Sequence, residues 1–408
     1  MSLTRSSKKL SATPQAIDPA RAGIAPAAPA QRIALAAGLS ALLSLGLVLE
    51  GREPRLAILL VLGALCGVTL YHAAFGFTAA YRRLLFNRDG TGVRAQLVML
   101  GAATCMFAPV LAAGAFLGNP VVGAIAPVGW QVAIGAFIFG IGMQLGNGCG
   151  SGTLYSLGGG STRMVATLVA FCAGGFAASL NMDAWQQLPD AGEVVLGEAL
   201  GWPAAVAIQL VALVAVYALI RARERSGDSS SPQAAPTAFR PLAGPWPLMA
   251  GAGILALLNF ATLSVAGHPW SITWGLTLWG AKAALAFGWD PSGVPFWSGD
   301  FQHQALHASV LDDVTSVMDI GIVLGAFVTA ALAGRLAPSL RLSKRSLAAA
   351  LIGGLLMGYG ARLAYGCNIG AFFSGISSTS LHGWLWIVAA LPGNWIGARL
   401  RPRFGLAL

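Results

Sequence analysis

A seventeen-residue glycine-rich segment occurs twice in this chain of 408 residues, at 140–156 and again 218 positions later at 358–374. The two copies share seven identical residues, among them a central Gly-Cys pair that places Cys149 and Cys367 at equivalent positions. The chain has only five cysteines, so chance does not account for two of them in the same context. Each copy ends an apolar helical pattern and enters an uncharged turn. The repeat therefore predicts a chain built from two related halves.

The composition indicates a membrane environment. Hydrophobic residues make up 56% of the chain and charged residues only 10%. These proportions are typical of polytopic membrane proteins, because a soluble core could not enclose so much apolar surface. The formal net charge of +10 comes from short basic tracts between apolar segments, so it marks cytoplasmic loops rather than nucleic-acid binding. The scattered cysteines form no C-x-x-C pair, which argues against a zinc ribbon, a redox dithiol or a disulfide framework.

Charge and composition divide the chain into four parts. Residues 1–31 are rich in Ala, Pro and Ser and predict a disordered cytoplasmic tail. Residues 32–220 and 244–408 predict two membrane repeats, and the basic, Ser/Pro-rich segment 221–243 predicts a cytoplasmic linker between them. Basic tracts near both ends place the N- and C-termini in the cytoplasm. We expect a multi-pass protein of the bacterial inner membrane, in contact with the lipid bilayer.

Loop charges indicate that the two halves have opposite orientations. The helix that leads toward the first motif copy follows the basic tract 82–94, whereas its counterpart follows the acidic loop 289–313. The pattern predicts an all-α polytopic membrane protein with an inverted repeat of two helical halves and a substrate site at their interface, near the midplane. About nine or ten spans are expected. The loop charges require an odd number of crossings between residues 244 and 288, where two apolar segments lie. Either one of these segments falls short, which Pro245, Pro247 and Pro269 favour, or a loop charge misleads.

Residues 95–162 contain no Asp, Glu, Lys or Arg, yet two spanning helices of about 20 residues each account for only part of this stretch. The remainder, mainly 147–162, is glycine-rich and should resist helix formation. Non-helical backbone at membrane depth is tolerated only where protein buries it or where it lines a cavity. Glycine-rich re-entrant loops at a central waist are therefore expected.

The motif turns predict an anion site. A glycine-rich turn between helices exposes backbone N–H groups, and a helix N-terminus adds partial positive charge. A thiol adds a polarisable donor for a sulfur-bearing anion without the strong attraction of a full charge, as transport requires. A single buried cysteine is more often a small hydrophobe, but the repeated context favours a functional pair. The candidates are Cys149, Cys367, Gly148, Gly150, Gly366 and Asn368.

The sequences Gly-Asn-Gly-Cys-Gly at 146–150 and Tyr-Gly-Cys-Asn-Ile-Gly-Ala-Phe-Phe-Ser-Gly at 365–375, with the run from His382 to Arg399, resemble the YeeE/YedE sulfur-transport family of bacterial inner-membrane permeases. The resemblance begins near residue 55 and implies thiosulfate uptake, with the anion passed between cysteines on either side of a narrow waist. Some relatives are linked to selenium metabolism instead. A small cytoplasmic sulfur-carrier protein would suit such a permease as a partner.

The resemblance also implies a third cysteine after a phenylalanine in a run like 72–77, where this chain has Gly76. Cys66 lies ten residues earlier on the same predicted helix, so either it replaces the third thiol or only two cysteines take part. Cys105 and Cys172 lie among Ala, Val and Phe and are expected to be packing residues.

Three ionisable residues in apolar segments, Lys282, Asp319 and Arg362, are further candidates, because charge at membrane depth is costly and usually paired or functional. Arg362 lies five residues before Cys367, where it either draws the anion inward or neutralises Asp319. His303 and His307 have metal-ligand spacing but lack a third ligand, so no metal is predicted.

The sequence contains no nucleotide-binding glycine loop, Ser/His/Asp set or haem motif, so neither enzymatic activity nor a cofactor is predicted. Two alternatives to thiosulfate import remain open. One is a passive channel or permease for another small solute, such as selenite, sulfite or a neutral molecule. The other is a membrane anchor for a redox or sulfur-transfer partner, in which the cysteines are only structural.

Overall fold

The structure, a computed structural model, describes residues 29–225, 242, 244–336, 338 and 342–408. It confirms an all-α polytopic protein, with eight helices in the described part that are long and apolar enough to cross a membrane. The predicted tail lies outside the described residues except for its last three, which are the start of the first helix.

The first half contains α1 Pro29–Glu50, α2 Pro54–His72, α3 Phe77–Asn87, α4 Thr91–Ala113, α5 Trp130–Gly146, α6 Gly150–Gly158, α7 Arg163–Ser179, α8 Met182–Gln186, α9 Leu196–Leu200 and α10 Trp202–Arg225. The second half contains α11 Leu248–Ala266, α12 Thr273–Ala286, α13 Pro295–Ser298, α14 Asp300–His307, α15 Val314–Leu332, α16 Lys344–Leu363, the π-helix Asn368–Ser374, α17 Gly375–Ser377 and α18 Leu381–Leu400. Short 3₁₀ turns cover Pro291–Gly293, Val310–Asp312 and Arg401–Phe404. The strands are β1 Ala115–Phe116, paired antiparallel with β2 Asn119–Pro120, and β3 Pro127–Gly129, paired antiparallel with β4 Asp190–Glu193.

Two long apolar stretches, 56–81 and 244–288, are each divided into helices of different length. The uncharged run 56–81 could form one span, but α2 ends at His72 because Ala74 takes a left-handed conformation with φ 45°. In the second half α12 has 14 residues and is about 21 Å long, too short for a hydrocarbon core of about 30 Å. Between residues 244 and 288, only α11 is long and apolar enough to cross a membrane, which agrees with the odd number of crossings that the loop charges predict.

The motif turns are more helical than their glycine content predicts. Gly150–Gly158 forms α6 and Asn368–Ser374 forms a π-helix, so the expectation of non-helical backbone is wrong for these residues. Glycine costs about 1 kcal/mol relative to alanine inside a helix. Most of α6 and all of the π-helix are buried, and packing outweighs that cost. Re-entrance of these segments stays a prediction.

Glycines at the start of each motif copy bring helices together. Gly140 lies against the carbonyl group of Ala390 in α18, and its counterpart Gly358 lies against the carbonyl group of Phe171 in α7. A Cβ atom at either position would overlap these backbone atoms. Small residues that let backbones approach are typical of membrane helix interfaces. The first part of the motif therefore serves packing rather than binding.

The contacts between helices occur in pairs that relate the two halves of the chain. α5 packs against α18 and α16 against α7, while α2 packs against α15 and α4 against α11. If α2, α4, α5 and α7 correspond to α11, α15, α16 and α18, each contact has its counterpart, and α5 and α16 pack against each other at the centre. This regularity supports the inverted repeat, which itself stays a prediction.

Candidate functional site

Cys149 lies in the turn between α5 and α6. α5 ends where Asn147 adopts a left-handed conformation with φ 64°, and the Gly148 N–H donates back to the last turn of α5. The Cys149 Sγ accepts a hydrogen bond from the Gly152 N–H at 3.4 Å, so the thiol caps α6. Its sulfur also lies 3.3 Å from Ser151 Oγ. The thiol is thus held at the N-terminus of a helix whose first residues are glycine and serine.

Cys367 occupies the equivalent turn after α16. Tyr365 takes the left-handed conformation there with φ 56°, and Gly366 follows with φ 155°, which favours glycine. The Cys367 Sγ accepts from the Ile369 N–H at 3.5 Å and caps the π-helix. Trp386 of α18 donates its indole N–H to the Gly366 carbonyl oxygen at 3.2 Å and fixes the turn. The two cysteines therefore play the same structural role in both halves.

The two turns lie against each other. A Cβ atom placed on Gly150 would be 3.2 Å from the Cys367 Sγ and 3.4 Å from Ile272 Cγ2. The backbone of the first turn therefore meets the thiol of the second, as the predicted waist requires. Both thiols are buried, with Cys149 1% and Cys367 0% exposed, so neither is open to solvent in this conformation.

Two cavities approach these turns. The first, here the Gly76 cavity, has a volume of about 330 Å³ and includes Gly76, Arg83, Gln96 and Tyr155 among its lining residues. The second, here the Ser271 cavity, has a volume of about 460 Å³. Its lining includes Arg55, His268, Ser271, Trp274, Asp313 and Thr315.

The cavities lie at opposite ends of α2. Arg55, the second residue of α2, lines the Ser271 cavity, and Ala73, directly after its last residue, lines the Gly76 cavity. A helix of 19 residues is about 28 Å long, close to the thickness of a bilayer core. Ser271 Oγ is 3.2 Å from the Cβ position of Gly370 in the second turn, and Tyr155 Oη is 3.6 Å from that of Gly76. Each cavity thus reaches one motif copy.

Aromatic side chains of α3 contact the second motif copy. Phe77 at the start of α3 packs edge-on against Phe372 of the π-helix, with ring centroids 6.5 Å apart. Tyr81, one turn further along α3, accepts a hydrogen bond from Asn368 Nδ2 at 3.2 Å. Asn368, a predicted site residue, therefore ties the second turn to the first half of the chain.

Three arginines converge on the carboxyl end of α5. Arg163 donates to the carbonyl oxygens of Leu145 and Gly146, both at 2.7 Å. Arg401 donates to the Gln144 carbonyl oxygen at 2.6 Å, and Arg82 donates to the Gln144 side chain at 3.2 Å. Burial, and to a lesser degree the neighbouring Arg82 and Arg163, lower the pKa of Arg401 to about 10. These cations satisfy the unpaired carbonyl groups of the helix end.

Two other predicted residues lie elsewhere. Cys66 is fully buried near the middle of α2, a helix that packs against α15. Arg362 is not paired with Asp319 among the described residues; its guanidinium group lies over the ring of Phe296 in α13, 5.0 Å from the centroid. Cys105, expected in the core, is exposed on α4.

The sequence analysis missed several residues of this region. Tyr155 lies inside the first motif copy, which is a signal that could have identified it. Ser271 lies between Pro269 and α12, in the break between two apolar segments. Tyr81 and Arg401 carried no local signal, because their partners are far away in the sequence.

Comparisons with known proteins identify the family of this chain. A family model described as "Sulphur transport" matches residues 72–396, which is most of the chain. The chain is 28% identical over 361 residues to the thiosulfate transporter TsuA of Spirochaeta thermophila, covering 82% of this chain and 96% of that protein. It is 24% identical over 373 residues to the thiosulfate transporter TsuA of Escherichia coli, covering 84% of this chain and 93% of that protein.

Another relative matches fewer residues but with a higher sequence identity. The chain is 36% identical over 155 residues to the probable transporter YedE of Escherichia coli, covering 38% of this chain and only 37% of that protein. The family model, by contrast, extends from the end of α2 into α18 and so includes both cysteine turns. This protein is therefore a multi-pass membrane protein that belongs to the YeeE/YedE family of sulfur transporters.

Proposed function

We propose that this protein carries thiosulfate, or a closely related sulfur-containing anion, across the bacterial inner membrane into the cytoplasm. The observation that carries the proposal is the contact of the Cys367 thiol with Gly150 in the Cys149 turn, between cavities at opposite ends of α2. The anion passes from the Ser271 cavity to Cys367, then to Cys149, and leaves through the Gly76 cavity. Both termini lie in the cytoplasm.

The groups along this route suit a sulfur anion. Arg83 in the Gly76 cavity attracts negative charge. Arg55 lines the Ser271 cavity, where it is paired with Glu53 at 2.9 Å and shares the lining with Asp312 and Asp313. At the waist the donors are thiols and the N–H groups of helix N-termini, which stabilise an anion more weakly than a full charge does. Weak binding at several successive sites allows both entry and release. A small cytoplasmic sulfur-carrier protein would receive the anion on the inner side.

A related anion, such as sulfite or a selenium oxyanion, is the second candidate. The residue that favours this second candidate is Gly76. It lines the Gly76 cavity at the position where the family resemblance implies a third cysteine. Without that thiol, the oxygen-bearing Tyr155 hydroxyl is the nearest side chain to this position.

Uptake of radiolabelled thiosulfate by proteoliposomes containing only this protein tests the proposal, with sulfate, sulfite and selenite as competitors. Cys149→Ala and Cys367→Ala should each reduce uptake to background, because each removes a thiol from the waist. Cys105→Ala is the matched control and should transport normally, since this thiol is exposed on α4.

A Cys149→Ser, Cys367→Ser double variant separates thiol chemistry from simple anion binding. Serine keeps the hydrogen-bonding cap but loses the polarisable sulfur, so uptake should again fall to background while gel filtration shows folded protein. Full uptake by this variant would contradict the role of the thiols. No thiosulfate uptake by the unmodified protein, with uptake of sulfite or selenite, would establish the second candidate.

A further inference from the structure

Asp319 is a buried carboxyl group within a membrane helix. It is the sixth residue of α15 and is 0% exposed. Among the described residues, neither of its carboxyl oxygens has a hydrogen-bond partner. Arg362 does not neutralise it, because that guanidinium group lies over Phe296. A polar group in this position needs a partner that the folded chain itself does not supply.

The carboxyl group lies just below the Ser271 cavity. Thr315 lines that cavity, and Asp319 follows four residues later, one helical turn deeper on the same face of α15. Asp319 Oδ2 is 3.1 Å from the Cβ position of Gly275 in α12, so the neighbouring helix passes close by. Asp319 is therefore near the place where an anion would move from the cavity to the waist.

An ionised Asp319 would hinder the passage of an anion. An ionised, unpaired carboxylate at membrane depth is costly, and a second negative charge nearby would raise that cost. A protonated carboxyl group is neutral, can donate a hydrogen bond and does not repel the anion. Anion binding and proton binding therefore favour each other, and this coupling is reciprocal.

The first half has a neutral group at the matching position. Gln96 is the sixth residue of α4, as Asp319 is of α15, and it lines the Gly76 cavity. It is 1% exposed, and both of its side-chain polar atoms also lack partners in the described part of the chain. Each cavity thus has a buried, unpartnered polar side chain nearby, and of Asp319 and Gln96 only Asp319 can take up a proton.

Resting on the proposed anion transport, we infer that Asp319 binds one proton from the outer side as the anion enters and releases it inward with the anion. The protein is then a proton–anion symporter. One proton accompanies each thiosulfate dianion, so one net negative charge instead of two moves inward. The coupling halves the charge that crosses against an inside-negative potential.

Other titratable groups lie on the elements around Asp319. Lys282 of α12 is occupied, because its ammonium group donates to the carbonyl oxygens of Leu306 and Ala308 at 2.7 and 2.6 Å. Asp313 at the start of α15 accepts from Trp274 and from the Ser316 N–H. The helices that pack against α15 carry further titratable or charged groups: Arg32 and Glu50 on α1, Arg55, Cys66, Tyr71 and His72 on α2, and Cys149 and Tyr155 at α6. Nearby elements add Cys172 on α7, Asp312 before α15 and Cys367 after α16.

The test uses proteoliposomes loaded with a pH-sensitive dye. In the unmodified protein, acidic medium outside should raise the initial rate of thiosulfate uptake several-fold, and adding thiosulfate outside should acidify the lumen. Asp319→Asn should lose both effects but still exchange labelled external for unlabelled internal thiosulfate, which needs no net proton movement. Asp319→Glu should restore part of the coupling. Asp300→Asn, on exposed α14, is the control and should behave like the unmodified protein.

The outcomes distinguish this inference from the proposed function. Net thiosulfate uptake without lumen acidification in the unmodified protein, or Asp319→Asn uptake that still rises in acidic medium, would overturn proton coupling and leave transport intact. Absence of thiosulfate exchange in the unmodified protein would refute the proposed function, and the inference with it. If Asp319→Asn does not fold, lumen acidification measured with the dye in the unmodified protein and in Asp319→Glu still decides whether thiosulfate uptake is coupled to protons.

Discussion

Two glycines along the proposed path differ in the space around them. The Cβ position of Gly150 is 3.2 Å from the Cys367 sulfur, which is tighter than an ordinary van der Waals contact. The Cβ position of Gly76 has ordinary distances to its neighbours, 3.6 Å to Tyr155 Oη and 3.9 Å to the Ala74 carbonyl oxygen. Gly76 has φ −120° and Gly150 is the first residue of α6, so alanine is compatible with the backbone conformation at both sites. The contrast makes these two positions a probe of the waist.

Gly150→Ala should reduce thiosulfate uptake by about ten-fold, equivalent to a barrier increase of about 1.4 kcal/mol, because the added methyl group fills the contact between the turns. Gly76→Ala is its matched control and should retain most of the activity. Initial uptake rates at equal protein content in proteoliposomes give the comparison, and circular dichroism confirms folding. Equal rates for the two variants would mean that the anion does not pass between Gly150 and Cys367.

The carboxyl end of α5 is held by residues from three other elements. Arg82 comes from α3, Arg163 from the start of α7 and Arg401 from the 3₁₀ turn after α18. Arg401 is 257 residues away from the Gln144 carbonyl oxygen that it binds, and it also donates to Asn147 Oδ1 at 3.0 Å. Since Asn147 begins the Cys149 turn, the end of the chain stabilises one half of the candidate site.

Arg401→Ala should destabilise the folded protein by about 2 kcal/mol, because hydrogen bonds from a charged donor to buried carbonyl groups contribute about 1.5–3 kcal/mol. Uptake should fall as well, since the turn that holds Cys149 loses a partner. Arg403→Ala, two residues further along and exposed, should change stability by no more than about 0.5 kcal/mol. Thermal unfolding in detergent compares the variants, and equal midpoints would show that Arg401 does not hold the turn.

The elements could be predicted from the sequence only where the signal is local. The repeated Gly-Cys pair identified both turns, because identical residues in one chain indicate equivalent structures. Loop charges indicated that a segment between residues 244 and 288 falls short, and α12 does. The helix α6 was missed, since its stability comes from burial and from the Cys149 cap rather than from residue propensity. The link between Asn368 and Tyr81 was also missed, because no local pattern indicates a contact across 287 positions.

At the scale of the whole molecule, α2 connects the two cavities. Its first turn reaches the Ser271 cavity and its last residue precedes the Gly76 cavity, while its middle packs against α15 through close backbone contacts at Gly63 and Gly67. The acidic loop 289–313 borders the Ser271 cavity, and the basic tract 82–94 borders the Gly76 cavity. Positive charge marks the cytoplasmic side, so the Ser271 cavity should open outward and the Gly76 cavity inward.

Cysteine labelling from each side of the membrane tests this orientation. In a Cys105→Ala background, Ser271→Cys should react with a membrane-impermeant thiol reagent added outside intact cells, because its cavity faces the exterior. Gly76→Cys should react only in inside-out vesicles, and it is sterically acceptable because the nearest atom to its Cβ position is 3.6 Å away. Thiosulfate should slow both reactions if the anion occupies both cavities. Labelling of Gly76→Cys from outside would reverse the assigned direction of the path, and labelling of both positions from one side would contradict the inverted arrangement of the two halves.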